Sequence, residues 1–391
     1  MLDAFKNESF GFHTRAVHTG NDVDKETGAV KRPITMANSY ELPYDPTNMN
    51  WSSAEGNLYT RNGGANQKYL QERLVSLEGG EDCIVLASGV AALSGLFFSL
   101  LKAGDHVVFS SVTYIAVYRL LNELFNEKFG VETTIVDTTD LDAVKAAIRP
   151  NTKLIHIETP GNPTISVTDI SALAAIAHKN DALLSVDNTF ASPYNQRPIE
   201  LGADFSVESL TKYINGHGDA MGGAIIGKKK YLDIIRAQAQ VNLGGTICPF
   251  NAWLIMRGSV TLPLRMKQHN ENKWLEERPG VSFVSYPGLE NHPQHEIALR
   301  QMAPGFGGVL TFGLKADHET HNRFVSHLRV ITNAVSLGHD ASLIVFLGEN
   351  DERQHLYPER FHNGFFRFSV GIEDADDLIE DLRQALEKVG L

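Results

Sequence analysis

The sequence predicts an α/β protein: a mostly parallel sheet covered by helices on both faces, followed by a smaller second domain. Three observations carry that expectation. Short apolar runs alternate with helical patterns from about residue 66, and such alternation builds parallel sheets through crossover helices. The chain has 391 residues, 42% hydrophobic, with 33 glycines, which suits one large and one smaller core better than a single unit. The pattern also changes character after about residue 250. The expected division is an N-terminal arm over 1–60, a large domain over 61–250 and a small domain over 251–391.

Each element follows from local pattern. The arm has little periodicity and many turn formers, Thr27-Gly28-Ala29-Val30 and Pro33 among them. Ser39-Tyr40 and the aromatic content favour packing on another subunit over a disordered tail. Leu70, Leu74 and Leu77 fall on one helical face, so 67–77 reads as helix. Residues 83–87 read as a short apolar strand and 90–101 as an apolar helix ended by Gly104. Further strands are expected at 106–109, 133–136, 154–157 and 183–186, with helices at 141–148 and 170–178 between several of them. Beyond residue 250, helical patterns cover 253–258, 318–335 and 374–389.

Composition narrows the function. A net charge of -12 and the lack of a basic block argue against nucleic acid as a partner. The two cysteines, Cys83 and Cys248, make no disulfide framework. The first residues lack the basic-then-apolar pattern of a signal peptide, and no window approaches the roughly 20 apolar residues that cross a bilayer. A cytoplasmic protein is the expectation.

Chemistry concentrates where strands should end. Lys212 lies between Ser209 and Thr211, after the apolar run 205–210 and before Gly216-His217-Gly218-Asp219 and Gly222-Gly223. Such a lysine can form a Schiff base with a carbonyl while the hydroxyls bond a phosphate, and pyridoxal phosphate carries both groups. In isolation it reads as readily as a solvated surface lysine. Ser88-Gly89-Val90 opens a helix after a strand, where free amides favour an anion, though Ser88 also suits a plain N-cap. Glu158-Thr159-Pro160-Gly161-Asn162-Pro163 is a stiffened loop that presents Asn162. Asp187 closes a buried strand and must be paired there; a protonated ring nitrogen is one such partner. The glycine spacing matches neither dinucleotide nor nucleotide-triphosphate fingerprints. No metal-ligand spacing and no serine-hydrolase elbow is present.

These segments, with Tyr59-Thr60-Arg61, Tyr286-Pro287-Gly288, Ser336-Leu337-Gly338 and the closing run from Arg367 to Asp374, occur in one order along nearly the whole chain. That series resembles the Cys/Met-metabolism family of pyridoxal-phosphate enzymes, which holds the methionine and cystathionine γ-lyases, cystathionine γ-synthase and O-acetylhomoserine sulfhydrylase. The resemblance implies fold type I, the aspartate-aminotransferase type, with a seven-stranded, mostly parallel sheet and a smaller C-terminal α+β domain. It implies a homotetramer, a dimer of dimers with sites shared across the dimer. Lys212 would carry the cofactor and shuttle protons, and Asp187 would keep the pyridine nitrogen protonated so that the ring acts as an electron sink. Ser88, Gly89, Val90, Ser209 and Thr211 would bind the phosphate, with Tyr59 and Arg61 from the neighbouring subunit. Tyr114 would stack on the ring and act as acid or base at the leaving group, and Asn162 would touch the ring hydroxyl. Arg367 and Ser336 would hold the substrate α-carboxylate.

The departures lie away from the cofactor. Tyr114-Ile115-Ala116-Val117 is bulkier than the usual sequence and lacks the thiol typical of methionine γ-lyases; Ala341 stands where many members carry an acid or valine. The stretch 346–352 replaces a histidine-proline loop, Gly63-Gly64-Ala65-Asn66 departs from the usual run, and residues 272–276 look shortened. The reaction expected first is γ-elimination from a methionine-like, uncharged γ-substituted amino acid, giving 2-oxobutanoate and ammonia. The alternatives are γ-replacement on an acylated homoserine, or elimination of a non-sulfur group as in canavanine. For canavanine, Glu349 and Asp351 of the altered loop could meet a cationic side chain.

Overall fold

The computed structural model describes residues 10–49, 51, 58–270, 278–348 and 351–391. Seven strands form the larger sheet: β1 (Asp82–Leu86), β2 (His106–Ser110), β3 (Glu132–Val136), β4 (Thr152–Glu158), β5 (Leu183–Asp187), β6 (Phe205–Glu208) and β7 (Gly223–Gly227). Their order is β1-β7-β6-β5-β4-β2-β3. β2 to β6 pair in parallel, and β7 runs antiparallel to β6 and β1. Successive side chains of one strand enter opposite cores. Val107 and Leu154 join Phe97, Phe109 and Phe205 on one face, while Val108 and Ile155 join Leu173, Leu184 and Val186 on the other. Burial on both faces is why these strands read as continuous apolar runs.

The helix Ala65–Glu78 ends at Gly79, which takes the left-handed conformation and caps it through Val75. Its leucines face inward, as the spacing predicts, and all three are fully buried. β7, where no strand was expected, begins at the second glycine of Gly222-Gly223. Gly223 lets it press against the turn after β1: a Cβ there would come 2.1 Å from the Ser88 carbonyl oxygen.

The second sheet has five strands, β8 (Val281–Ser285), β9 (Val309–Leu314), β10 (Thr332–Asn333), β11 (Leu343–Leu347) and β12 (Phe365–Ser369), in the order β10-β11-β12-β9-β8. All pairs are antiparallel except β10 with β11. The helices His318–Ser326 and Ala375–Lys388 cover it. The helical pattern expected over 318–335 stops early for a physical reason. The amides of Arg329, Val330 and Ile331 donate to the buried Asp381 carboxylate at 2.8–3.1 Å, so this carboxylate takes donors that a continuing helix would have used. Residues 272–276 lie outside the described residues. Cys83 is buried, Cys248 exposed, and both are free thiols. Among the described residues no helix is long and apolar enough to cross a membrane.

Candidate active site

β4, β5 and β6 end side by side, Glu158 in register with Asp187 and Asp187 with Val207. Asp187 is buried, and Thr189 is its hydrogen-bond donor, the amide reaching Oδ1 at 3.1 Å. Burial raises its carboxyl pKa, against the pull of Thr189. A cation placed against it would relieve that cost, which is what a protonated pyridine nitrogen supplies.

Lys212 lies in the turn after β6 and is half-buried. Burial, then the charge of Arg367, pushes its ammonium down to about 8, which favours the neutral amine that Schiff-base chemistry needs. Its Nζ donates to Ser336 Oγ at 2.7 Å. Ser336 has φ of +93°, a strained region for a residue with a side chain.

An anion cradle stands beside the lysine. Ser88 caps the helix Gly89–Leu100 by accepting from the Ala91 amide; the plain N-cap reading is thus fulfilled along with the anion geometry. The first amides of that helix lack helical partners. A Cβ on Gly89 would lie 2.9 Å from the Ser209 Cβ, so glycine keeps the gap between helix start and Ser209 open. Thr211 Oγ1 bonds both the amide and the carbonyl of Gly222, at 3.2 and 3.3 Å. Lysine, buried acid and phosphate cradle together fit pyridoxal phosphate.

Arg367 comes from the other sheet. Its Nη1 donates to Asn162 Oδ1 at 3.0 Å and its Nη2 to the Ser336 carbonyl at 3.1 Å. Its Nε–H is buried and bonds to nothing among the described residues, a donor left over for a carboxylate. Asn162 is therefore brought to Arg367 through its side-chain oxygen. Tyr114 caps the short helix Ile115–Tyr118 and keeps 40% of its surface exposed. Tyr59 and Arg61 are exposed, the guanidinium 5.1 Å from the centre of the tyrosine ring.

Three residues that sequence reasoning gave no role support this arrangement. Glu158 is buried and accepts from the amides of Tyr114 (2.5 Å) and Asn162 (3.0 Å), tying both loops to β4. Burial, then Asp187, holds its carboxyl well above the usual range. Its place at a strand end, like that of Asp187, was a usable signal. Arg353 donates to the Thr113 carbonyl, a contact that depends on long-range folding and carries no local signal, and His339 bonds Ser336 three residues before it. Arg353 also takes up Asp351, at 2.8 and 3.0 Å, and Tyr357 donates to that same carboxylate at 3.0 Å. Asp351 is thus internally neutralised rather than offered to a substrate, and Glu349 lies outside the described residues.

The family model described as Cys/Met metabolism PLP-dependent enzyme matches residues 13–387. Canavanine gamma-lyase of Rhizobium leguminosarum bv. trifolii is 54% identical over 393 residues, covering 98% of each chain. L-methionine gamma-lyase of Treponema denticola is 37% identical over 398 residues, again covering 98% of each. The crystal structure of metB from Corynebacterium glutamicum superposes with a TM-score of 0.90 at 37% identity, covering 97% of this chain and 99% of that one. The fold is type I, the cofactor is pyridoxal 5'-phosphate, and the chemistry is γ-elimination from an amino acid. The chain belongs to the Cys/Met-metabolism family of PLP-dependent enzymes.

Proposed function

We propose that this enzyme eliminates an oxygen-linked γ-substituent, with L-canavanine as its substrate, and that Lys212, Asp187, Tyr114 and Arg367 carry the reaction. One observation carries the choice of substrate: 54% identity to a canavanine gamma-lyase against 37% to an L-methionine gamma-lyase, at equal coverage. The methionine-like reading expected from the uncharged Ile115-Ala116-Val117 becomes the second choice. Asp351 of the altered loop does not support the first, since it is already paired.

When bound, pyridoxal phosphate supplies an electron sink joined to the substrate amino group. Arg367 orients the α-carboxylate, its geometry fixed by Asn162 and Ser336. Lys212 takes the α-proton and then a β-proton, which its depressed proton affinity permits near neutral pH. Asp187 holds a proton at the ring nitrogen. The Tyr114 hydroxyl gives a proton to the departing oxygen. Ser88, Gly89, Val90, Ser209 and Thr211 hold the phosphate. Tyr59 and Arg61, exposed in one subunit, reach the phosphate of a neighbour in a homotetramer built from two dimers. On this reading residues 1–60 form the intersubunit arm, 61–250 the cofactor domain and 251–391 the small domain, in a cytoplasmic enzyme.

The test is product analysis by mass spectrometry with canavanine, methionine, cystathionine and O-acetylhomoserine, with and without a thiol. Release of hydroxyguanidine from canavanine, faster than 2-oxobutanoate from methionine, is expected. Faster methionine cleavage would return the choice to sulfur, and turnover only with thiol would make the enzyme a synthase.

A further inference from the structure

A cavity of about 430 Å³ opens between residues 21–32, the helix Ala65–Glu78 and the helix Pro249–Ser259. That volume is ordinary for a small-ligand site. Four cationic side chains line it, Lys31, Arg32, Arg73 and Arg257, and no acidic side chain does. The chain as a whole carries a net charge of -12, so the sign of this cavity is opposite to that of the molecule.

The four charges are only partly met. Arg73 is 1% exposed, and its guanidinium donates to the carbonyls of Thr19, Met256 and Val17 and to the Ser259 hydroxyl, at 2.7–3.3 Å. These bonds cap the carbonyl end of the helix Pro249–Ser259, which offsets part of the charge. No carboxylate pairs with it among the described residues, and burial pushes the guanidinium down to about 9. Arg32 pairs with Asp22 through Nη2 at 3.3 Å, while its Nε–H is buried and bonds to nothing among the described residues. Asp24, whose carboxyl is lowered chiefly by Thr27, feels Arg32 only as its last influence. Lys31 and Arg257 are exposed and make no ion pair among the described residues.

The walls belong to this chain. The Arg32 guanidinium lies 4.4 Å from the centre of the Tyr69 ring, and Trp253 Nε1 donates to the Arg32 carbonyl at 3.0 Å. Asn66 holds the next residues in place, donating to the Pro33 carbonyl at 3.1 Å and accepting from the Thr35 amide at 2.8 Å. None of the residues placed in the cofactor or substrate site lines the cavity. It nonetheless abuts the turn of Lys212, because His217 lines it and the Gly216 amide donates to the Lys212 carbonyl at 2.8 Å.

We propose that this cavity binds a small organic polyanion, a phosphate ester or a polycarboxylate. Lys31, Arg32 and Arg257 hold its charged groups beside the buried charge of Arg73. Guanidinium forks suit carboxylate and phosphate oxygens alike. More than one negative charge is required, since Lys31, Arg73 and Arg257 all lack an acidic partner. Trp253, Met256 and Val260 supply apolar wall for the carbon frame.

The test is calorimetric titration of the holoenzyme, whose phosphate cradle is already filled, with inorganic pyrophosphate and with citrate. At low salt at least one probe should bind with Kd below about 1 mM, and more weakly at about 0.15 M salt. Binding of pyrophosphate alone assigns the site to phosphate esters, and binding of citrate alone to polycarboxylates. The double variant Lys31→Gln, Arg257→Gln alters two exposed side chains, so its thermal transition and kcat should stay near native while Kd rises at least tenfold. Arg367→Gln should bind the probes as the native enzyme does. Failure of both probes to bind, native affinity in the double variant, or loss of binding in Arg367→Gln, which would put the probe in the substrate site, would each overturn the proposal.

Discussion

The two sheets differ in what gathers at one spot of each. Where strands of the large sheet end, four carboxyl groups lie buried close together: Glu158 on β4, Asp187 on β5, Glu208 on β6, and Glu78 at the end of the helix Ala65–Glu78 beside Glu208. The small sheet instead gathers Phe312, Phe324 and Phe346 around Phe366, with ring centres 5.1–5.2 Å from it. Buried carboxyls cost stability unless something compensates them, whereas packed aromatic rings add to it. The difference teaches that the large sheet carries the chemistry at an energetic cost, while the small sheet serves as a stable mount whose strand β12 delivers Arg367 to the site.

The strongest test of that contrast lies at the lysine. Lys212→Ala should lower turnover more than ~10⁴-fold, since on the proposed roles it removes both the cofactor's anchor and a base, and should abolish the visible absorbance of lysine-bound cofactor while leaving the thermal transition near native. Tyr114→Phe should come next, with kcat reduced ~10²- to 10⁴-fold and the absorbance kept; steady-state kinetics beside the spectrum separate the two. In the core under the small sheet, Phe324→Ala on the covering helix should cost about 3–5 kcal/mol of stability by leaving a cavity, read by denaturant unfolding, with kcat of the folded fraction within twofold. A large loss of kcat there would blur the division between mount and machinery.

How much of this the sequence discloses follows the same division. Strand ends with a lysine, an acid or a Ser-Gly helix start are legible because those residues are costly or odd in apolar runs, so Lys212, Asp187 and Ser88 stand out. β7 was missed because the pair Gly222-Gly223 at its start looks like loop until the Ser88 backbone is seen against Gly223. The helix after His318 was overdrawn because Asp381, which stops it, lies far along the chain. Arg353 reaches the Tyr114 turn through Thr113, 240 residues away in sequence, and leaves no periodic trace.

The smallest effect expected is a pH slope. Burial raises Glu78 to about 7 and holds Glu208 well above the usual carboxyl range. The folded protein therefore binds protons that the unfolded chain, with carboxyls near ~4.3, has released. The associated stability is fully present below that unfolded value and is lost as pH rises toward about 7. Glu78→Gln should flatten the fall in unfolding free energy between about pH 4.5 and 7, and an unchanged slope would show that the pair is not the source.

The contact between Arg353 and the Thr113 carbonyl carries a longer consequence. Arg119 also binds Glu352, at 2.9 Å, so the segment after residue 350 is tied at two points to the turn that presents Tyr114. Length and sequence changes in that segment can shift Tyr114, the proposed proton donor, without touching the residues proposed to hold the cofactor. Leaving-group preference thereby becomes a separable trait, open to drift among related enzymes and to grafting between them, while the lysine and its acid stay as they are.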